Sequence, residues 1–163
     1  MSTTNAAAQP RAHHILFTGF AFPTASEVAR YAAAGVKALI VGINNQDDDQ
    51  RGVEPSDLAD GFVWRHGAQG PAKLREVLDL CARWNMKLAP MIWARPTEKY
   101  CAEARAAVEP FEAHPAFLGV CHDFEVYWHK LVPIADMTGE QSAALWLRHF
   151  GRSGTRALIT DYA

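Results

Sequence analysis

Apolar runs fit for burial, each followed by helix-starting punctuation, recur along this chain and constrain its fold more than any other feature. KALIVGI at 37–43 is continuously apolar, as suits a parallel strand covered on both faces. HHILFTGF (13–20), MKLAPMIWAR (86–95), AFLGVCHDFE (116–125) and RALITDY (156–162) read as further strands. Helices fill the gaps. Thr24 with Glu27 three residues later has the capping-box form, and SEVARYAAAG stops at Gly35, a natural C-terminal glycine. Pro71 starts PAKLREVLDLCARWN, where Leu74, Val77, Leu78 and Cys81 follow the i, i+3, i+4, i+7 rule. Thr97 opens a third helix, which Pro110 breaks or turns into a new element. Thr138 to Gln141 forms a second capping box before QSAALWLRHFG, and Gly154 ends that element or the turn behind it. The polar stretch 44–61 reads as a loop; its Asp47, Asp48 and Asp49 lack the spaced ligands and glycine of a calcium loop. FVWRHG can add a short extended piece.

The order β-α-β-α-β-α-β-α-β implies a parallel sheet with helical crossovers. Two architectures fit: a TIM-type (β/α) barrel and an open doubly wound sheet. Nucleotide-binding open sheets carry glycines in the first strand-to-helix turn, but here that turn is TGFAFPTAS, with one glycine. Several strands instead end in polar or aromatic groups, which in a barrel converge on one mouth. The barrel is the expected fold, in incomplete form, with about five βα units instead of eight. Residues 1–12 are expected to be a flexible tail, and 13–163 the barrel domain or its N-terminal portion. Five strands leave an exposed edge, so self-association through that edge is expected.

Bulk composition narrows the function classes. At 163 residues the chain can bury one real core. A net charge of −2 with no dense Lys/Arg run offers no nucleic-acid footprint. The apolar runs fall far short of the ~20 residues of a membrane span. The first residues, MSTTNAAAQPRAHH, lack the form of a secretion signal, so a cytoplasmic location is expected, with export of a longer parent chain left open. Cys81, Cys101 and Cys121 match no zinc spacing and read as small buried residues in a reducing compartment. No metal or cofactor is expected.

The stretch HPAFLGVCHDFEVYW (114–128) carries the chemistry. Strand alternation puts Gly119, Cys121, Asp123 and Glu125 on one face, and Leu118, Val120, His122 and Phe124 on the other. The first set suits a barrel interior opening into a polar mouth; the second, mostly bulky and apolar, suits burial under helices. His122 is then a structural histidine. Two neighbouring carboxylates repel, which raises one pKa and holds a proton for use as an acid. Glycoside hydrolysis needs such a donor to the leaving oxygen. Trp93, Tyr127 and Trp128 offer flat faces for sugar rings, Arg95 can bond hydroxyls or a charged group, and Asp161 and Asn44, at other strand ends, are further expected substrate-binding residues. The bland alternative is that Asp123 and Glu125 solvate a strand end while Trp93 and Trp128 anchor loops.

These residues resemble those of barrel glycoside hydrolases. HPAFLGVCHDFE is similar to the fourth strand of many such enzymes, where HPA-x-x-G leads into a strand ending in the catalytic Glu. GVCHDFE also resembles the chitinase-type signature, a glycine before D-x-D-x-E; Gly119, Asp123 and Glu125 match it, and Cys121 stands in place of its first Asp. The D-x-E of muramidases on a similar barrel is a third likeness. LREVLDLCARWNMKLAPMIWAR resembles the helix and third strand of these enzymes. The resemblance extends in rhythm over 14–162 and is specific around 114–128. It implies Glu125 as general acid/base, Asp123 as its helper, and a carbohydrate substrate. In the retaining two-carboxylate version it implies a nucleophile on a later strand, beyond the fifth. In the chitinase-type version the substrate's own acetamido group attacks, and the paired acids on strand four do most of the work. Two rivals stand beside this reading. One is a non-catalytic carbohydrate-binding or assembly protein on a degenerate barrel. The other is a metal-dependent α/β enzyme using Asp123, Glu125 and His66 or His129.

Overall fold

A computed structural model describes residues 14–19, 21–44, 61–93, 97–124, 139–151 and 158–161. Strands β1 (His14–Phe17), β2 (Val36–Gly42), β3 (Lys87–Trp93), β4 (Cys121–Phe124) and β5 (Leu158–Asp161) form one sheet in the order β1-β2-β3-β4-β5. Each neighbouring pair is parallel. A doubly wound sheet would place the first strand between later ones; here β1 stands at an edge, so that alternative is set aside.

Helices α1 (Ala25–Ala33), α2 (Gly70–Arg83), α3 (Glu98–Val108) and α4 (Gly139–Phe150) fall in the crossovers. Their starts follow the local chemistry of the sequence. The Thr24 hydroxyl accepts from the Glu27 N–H at 3.3 Å, and the Glu27 carboxylate accepts from the Thr24 N–H at 2.7 Å. Such a cap contributes about 1 kcal/mol. Gly35, just past α1, takes φ +86, which a side chain would resist. Thr97 caps α3 by accepting from the Tyr100 N–H at 3.2 Å. Pro110 is the second residue of a short 3-10 turn, Glu109–Phe111, behind α3. The segment FVWRHG adds an isolated antiparallel bridge, Trp64 to Asn44. Thr138, the expected cap of α4, lies outside the described residues, as do residues 1–13.

The two sheet faces differ. One is covered by helices: Leu39, Val41, Leu88, Ile92 and Val120 pack with Val28, Leu74, Val77, Leu78, Tyr100 and Trp146. Each such side chain, fully buried, is worth roughly 1.5–3 kcal/mol. The other face holds a smaller cluster, Ala89, Met91 and Cys121, with Ile40 and Leu118 against it and, among the described residues, no helix residue in it.

That cluster corrects one expectation. Alternation grouped Leu118 with Val120 and His122, yet Leu118 packs beside Cys121 on the helix-free face. The fourth strand is not regular over 116–125. Phe117 bridges Leu88, while Cys121 pairs with Met91, so three steps along β3 are matched by four on its neighbour. Leu118 N–H donates to Leu88 C=O at 2.8 Å, and Gly119 takes φ +149. The extra residue is a bulge, and alternation read across a bulge inverts. Beyond it the expected faces hold: Cys121 lies with the helix-free cluster and His122 against α4.

Candidate functional site

The backbones of three candidate residues, Trp93, Asp123 and Asp161, stand at the C-terminal ends of neighbouring strands. Trp93 on β3 is in register with Asp123 on β4, and Asp123 with Thr160 on β5. Phe124 is in register with Asp161 in the next row. Adjacent strands lie roughly 5 Å apart, so the backbones of Trp93, Asp123 and Asp161 share one small patch. Of these three, the backbone is described. Glu125, Arg95, Tyr127 and Trp128 lie outside the described residues, as does His129.

Asn44, beyond the end of β2, is expected from the sequence to bind substrate but is fully buried, so its side chain is a structural contact and does not face the mouth. Its side-chain amide donates to the Tyr100 hydroxyl on α3, and its backbone bridges Trp64. Around this contact Phe62, Trp64, Tyr100 and Phe111 meet edge to face, with centroids 5.2–6.2 Å apart. The Phe62 N–H donates to the Glu103 carboxylate at 2.8 Å. These contacts tie the segment after β2 to α3.

His122 is the structural histidine that alternation predicts. Its ring lies 4.2 Å from that of Trp146, which stacks at 4.0 Å on Phe150. Burial holds the imidazole pKa down at about 4, so it is neutral at neutral pH. His114, the first residue of the HPA stretch, is structural as well. Its Nδ1 accepts from the Ala116 N–H at 3.1 Å, so Nε2 carries the proton and donates to Asp79 on α2 at 3.0 Å. The motif's histidine thus anchors the approach to β4 to a neighbouring helix.

The three cysteines are free and buried. Burial pushes the Cys81 thiol up to about 12. Cys101 is pushed to about 12 mainly by burial, with Glu98 adding and Arg148 opposing. Neither is a nucleophile at neutral pH. His66 takes a left-handed φ of 65 and meets Phe22 at 5.6 Å. Among the described residues no three His, Cys, Asp or Glu side chains are grouped to hold a metal. Among them, too, no helix is long and apolar enough to cross a membrane.

Sequence reasoning did not single out Tyr100 or Trp146. The i, i+4 spacing of Trp146 and Phe150 was the available signal for the second.

Solved structures supply the frame for this patch. Pseudomonas stutzeri endoglucanase Cel5A superposes with a TM-score of 0.55 at 18% identity, over 84% of this chain and 42% of that one. The fold is an incomplete TIM-type barrel. A second structure of the same endoglucanase, in complex with cellobiose, gives a TM-score of 0.53 at 17% identity, over 84% and 41%. The chain spans about two-fifths of the length of these neighbours, and the likeness is one of fold. No family model and no curated protein matches the sequence. In a TIM-type barrel the residues that do chemistry sit at the C-terminal strand ends, which is where Trp93, Asp123 and Asp161 stand.

Proposed function

We propose that this chain is a glycoside-hydrolase-like protein that takes a carbohydrate at its C-terminal strand ends. The observation that carries the reading is the register that aligns Trp93, Asp123 and Thr160 at the end of a parallel barrel sheet. Glu125, the residue after β4, is the general acid/base that protonates the leaving glycosidic oxygen. Asp123, two residues earlier and of the same strand parity, raises the Glu125 pKa by like-charge repulsion and keeps it protonated. Trp93, Tyr127 and Trp128 stack on sugar rings, and Arg95 and Asp161 bond hydroxyls. Asn44 acts from below, through its contact with Tyr100, by positioning the segment after β2. The neighbour bound to cellobiose supports a carbohydrate ligand of this general kind.

The test is turnover on aryl glycosides, cello-oligosaccharides and chito-oligosaccharides. Glu125→Gln keeps shape but loses the transferable proton, so hydrolysis falls by about 100- to 10,000-fold. Asp123→Asn slows turnover and moves the basic limb of the pH profile to lower pH, because Glu125 then loses its proton sooner. Unaltered rates in Glu125→Gln would remove the catalytic assignment.

A second reading has its own observation. Cys121 stands where the chitinase-type pattern has its first Asp, and it is buried in the apolar cluster with Ala89 and Met91. A chain so altered fits carbohydrate binding without hydrolysis. Calorimetric binding of an oligosaccharide, with no product formed, would select this reading; absence of both binding and hydrolysis would remove both.

A further inference from the structure

Two described residues other than glycine take a left-handed φ, His66 at 65 and Asn85 at 52. Asn85 follows α2, where helices commonly end in a left-handed residue, and asparagine accepts that conformation. His66 ends no helix. It precedes the 3-10 turn Gly67–Gln69, and its side chain does not cap that turn. The chain around it imposes the conformation. Trp64 bridges Asn44, the Arg65 N–H donates to the Ile43 C=O at 2.8 Å, and the Gln69 N–H donates to the His66 C=O at 3.1 Å. Non-glycine residues held in this way gather at ligand sites.

His66 is exposed, and among the described residues its ring meets that of Phe22 and makes no hydrogen bond. Phe22 packs on the helix-covered core and so gives the imidazole a fixed support. Both residues lie on strand-to-helix connections, Phe22 between β1 and α1 and His66 between β2 and α2. They therefore stand at the C-terminal strand ends, and the sheet order puts them to one side of Trp93, Asp123 and Asp161.

We propose that His66, supported by Phe22, contacts the ligand at the β1–β2 side of the strand ends, and that this ligand is a chain of several sugar units. The proposal rests on the carbohydrate reading of the strand ends and adds to it a second point of contact. Adjacent strands lie roughly 5 Å apart, so the β1–β2 side is roughly 10–15 Å from Asp123 on β4. One sugar ring seated at Asp123 does not reach His66; a chain laid across the strand ends does. The imidazole suits the task, since a neutral ring has one nitrogen that donates and one that accepts, and sugar hydroxyls do both.

The experiment compares the unsubstituted protein with His66→Gly by calorimetry on glycosides of one sugar unit and on cello- and chito-oligosaccharides of increasing length. The unsubstituted protein is expected to bind longer chains more tightly. In His66→Gly that gain falls on the order of 10-fold, as for one lost hydrogen bond and its ring contact, while binding of the one-unit glycosides is unchanged. Glycine takes the left-handed φ freely, so the unfolding midpoint holds or rises. By NMR, the long chain shifts the His66 ring signals and the one-unit glycoside does not. Long-chain binding that is unaltered in His66→Gly overturns the proposal and leaves the carbohydrate reading standing. So do an equal loss on short and long ligands, a lowered midpoint, and His66 signals that stay fixed when a long chain binds. An unsubstituted protein that binds no carbohydrate removes the carbohydrate reading, and the proposal with it.

Discussion

Acid should loosen this fold, and one buried imidazole should carry a large part of the effect. His122 is buried against Trp146 on α4, and burial lowers its pKa from 6.5 to about 4. The unfolded chain returns it to its ordinary value. Between those two values the unfolded state binds a proton that the folded state does not, so stability falls as pH falls. The contribution is complete above 6.5 and is lost progressively down to about 4. Each pH unit well inside that window costs about 1.4 kcal/mol and less at its ends, so acidification from about pH 7 to about pH 4.5 costs about 2–3 kcal/mol through this group alone. Against a total of roughly 5–15 kcal/mol for a domain, that is a large share. The comparison that isolates it is His122→Phe, which keeps an aromatic ring against Trp146 and removes the titration. Urea unfolding across the window measures both chains. The Glu27 carboxyl, held below its ordinary value by its bonds to Thr24, protonates and loses its part in the α1 cap only at the acid end of the scan. The substituted chain shares that loss, so the difference between the two curves belongs to His122. The expected outcome is a wild-type stability that falls about 2–3 kcal/mol further than that of His122→Phe. Parallel curves, or an imidazole that titrates near its ordinary value in the folded protein by NMR, would refute the reasoning.

Two further substitutions test the packing that positions the strand ends. A Cβ at Gly70 would lie 2.7 Å from both the Arg65 carbonyl oxygen and the Trp64 Cβ, so Gly70→Ala should cost about 1–3 kcal/mol despite alanine's better helix propensity; an unchanged or raised denaturation midpoint would count against that contact. His114→Ala removes both the Ala116 and the Asp79 hydrogen bonds from a ring whose side chain is 7% exposed, and should lower stability by about 1–3 kcal/mol, more than Asp79→Ala, whose carboxylate is largely solvated; equal effects would contradict the anchoring role.

What the sequence determined by itself is local or repetitive. Thr24 with Glu27, Gly35 and Thr97 mark helix ends because a cap is formed within three or four residues and needs nothing from the rest of the chain. The burial of Leu74, Val77, Leu78 and Cys81 follows from helical period, and the parallel sheet from apolar runs separated by helices. The inward place of Cys121 and the outward place of His122 were legible too, since β4 is regular from Cys121 onward. Tertiary structure alone decided the rest. The bulge around Gly119 exists because Phe117 and Cys121 must both meet β3, and only β3 sets how many residues lie between them; that is why Leu118 changed face. The burial of Asn44 depends on Tyr100, 56 residues away, and no local pattern records such a partner. The row of Trp93, Asp123 and Thr160 is likewise a matter of register between strands. Alternation tells which face a residue takes along its own strand, but the neighbour across the ladder is chosen by the packing of the whole sheet.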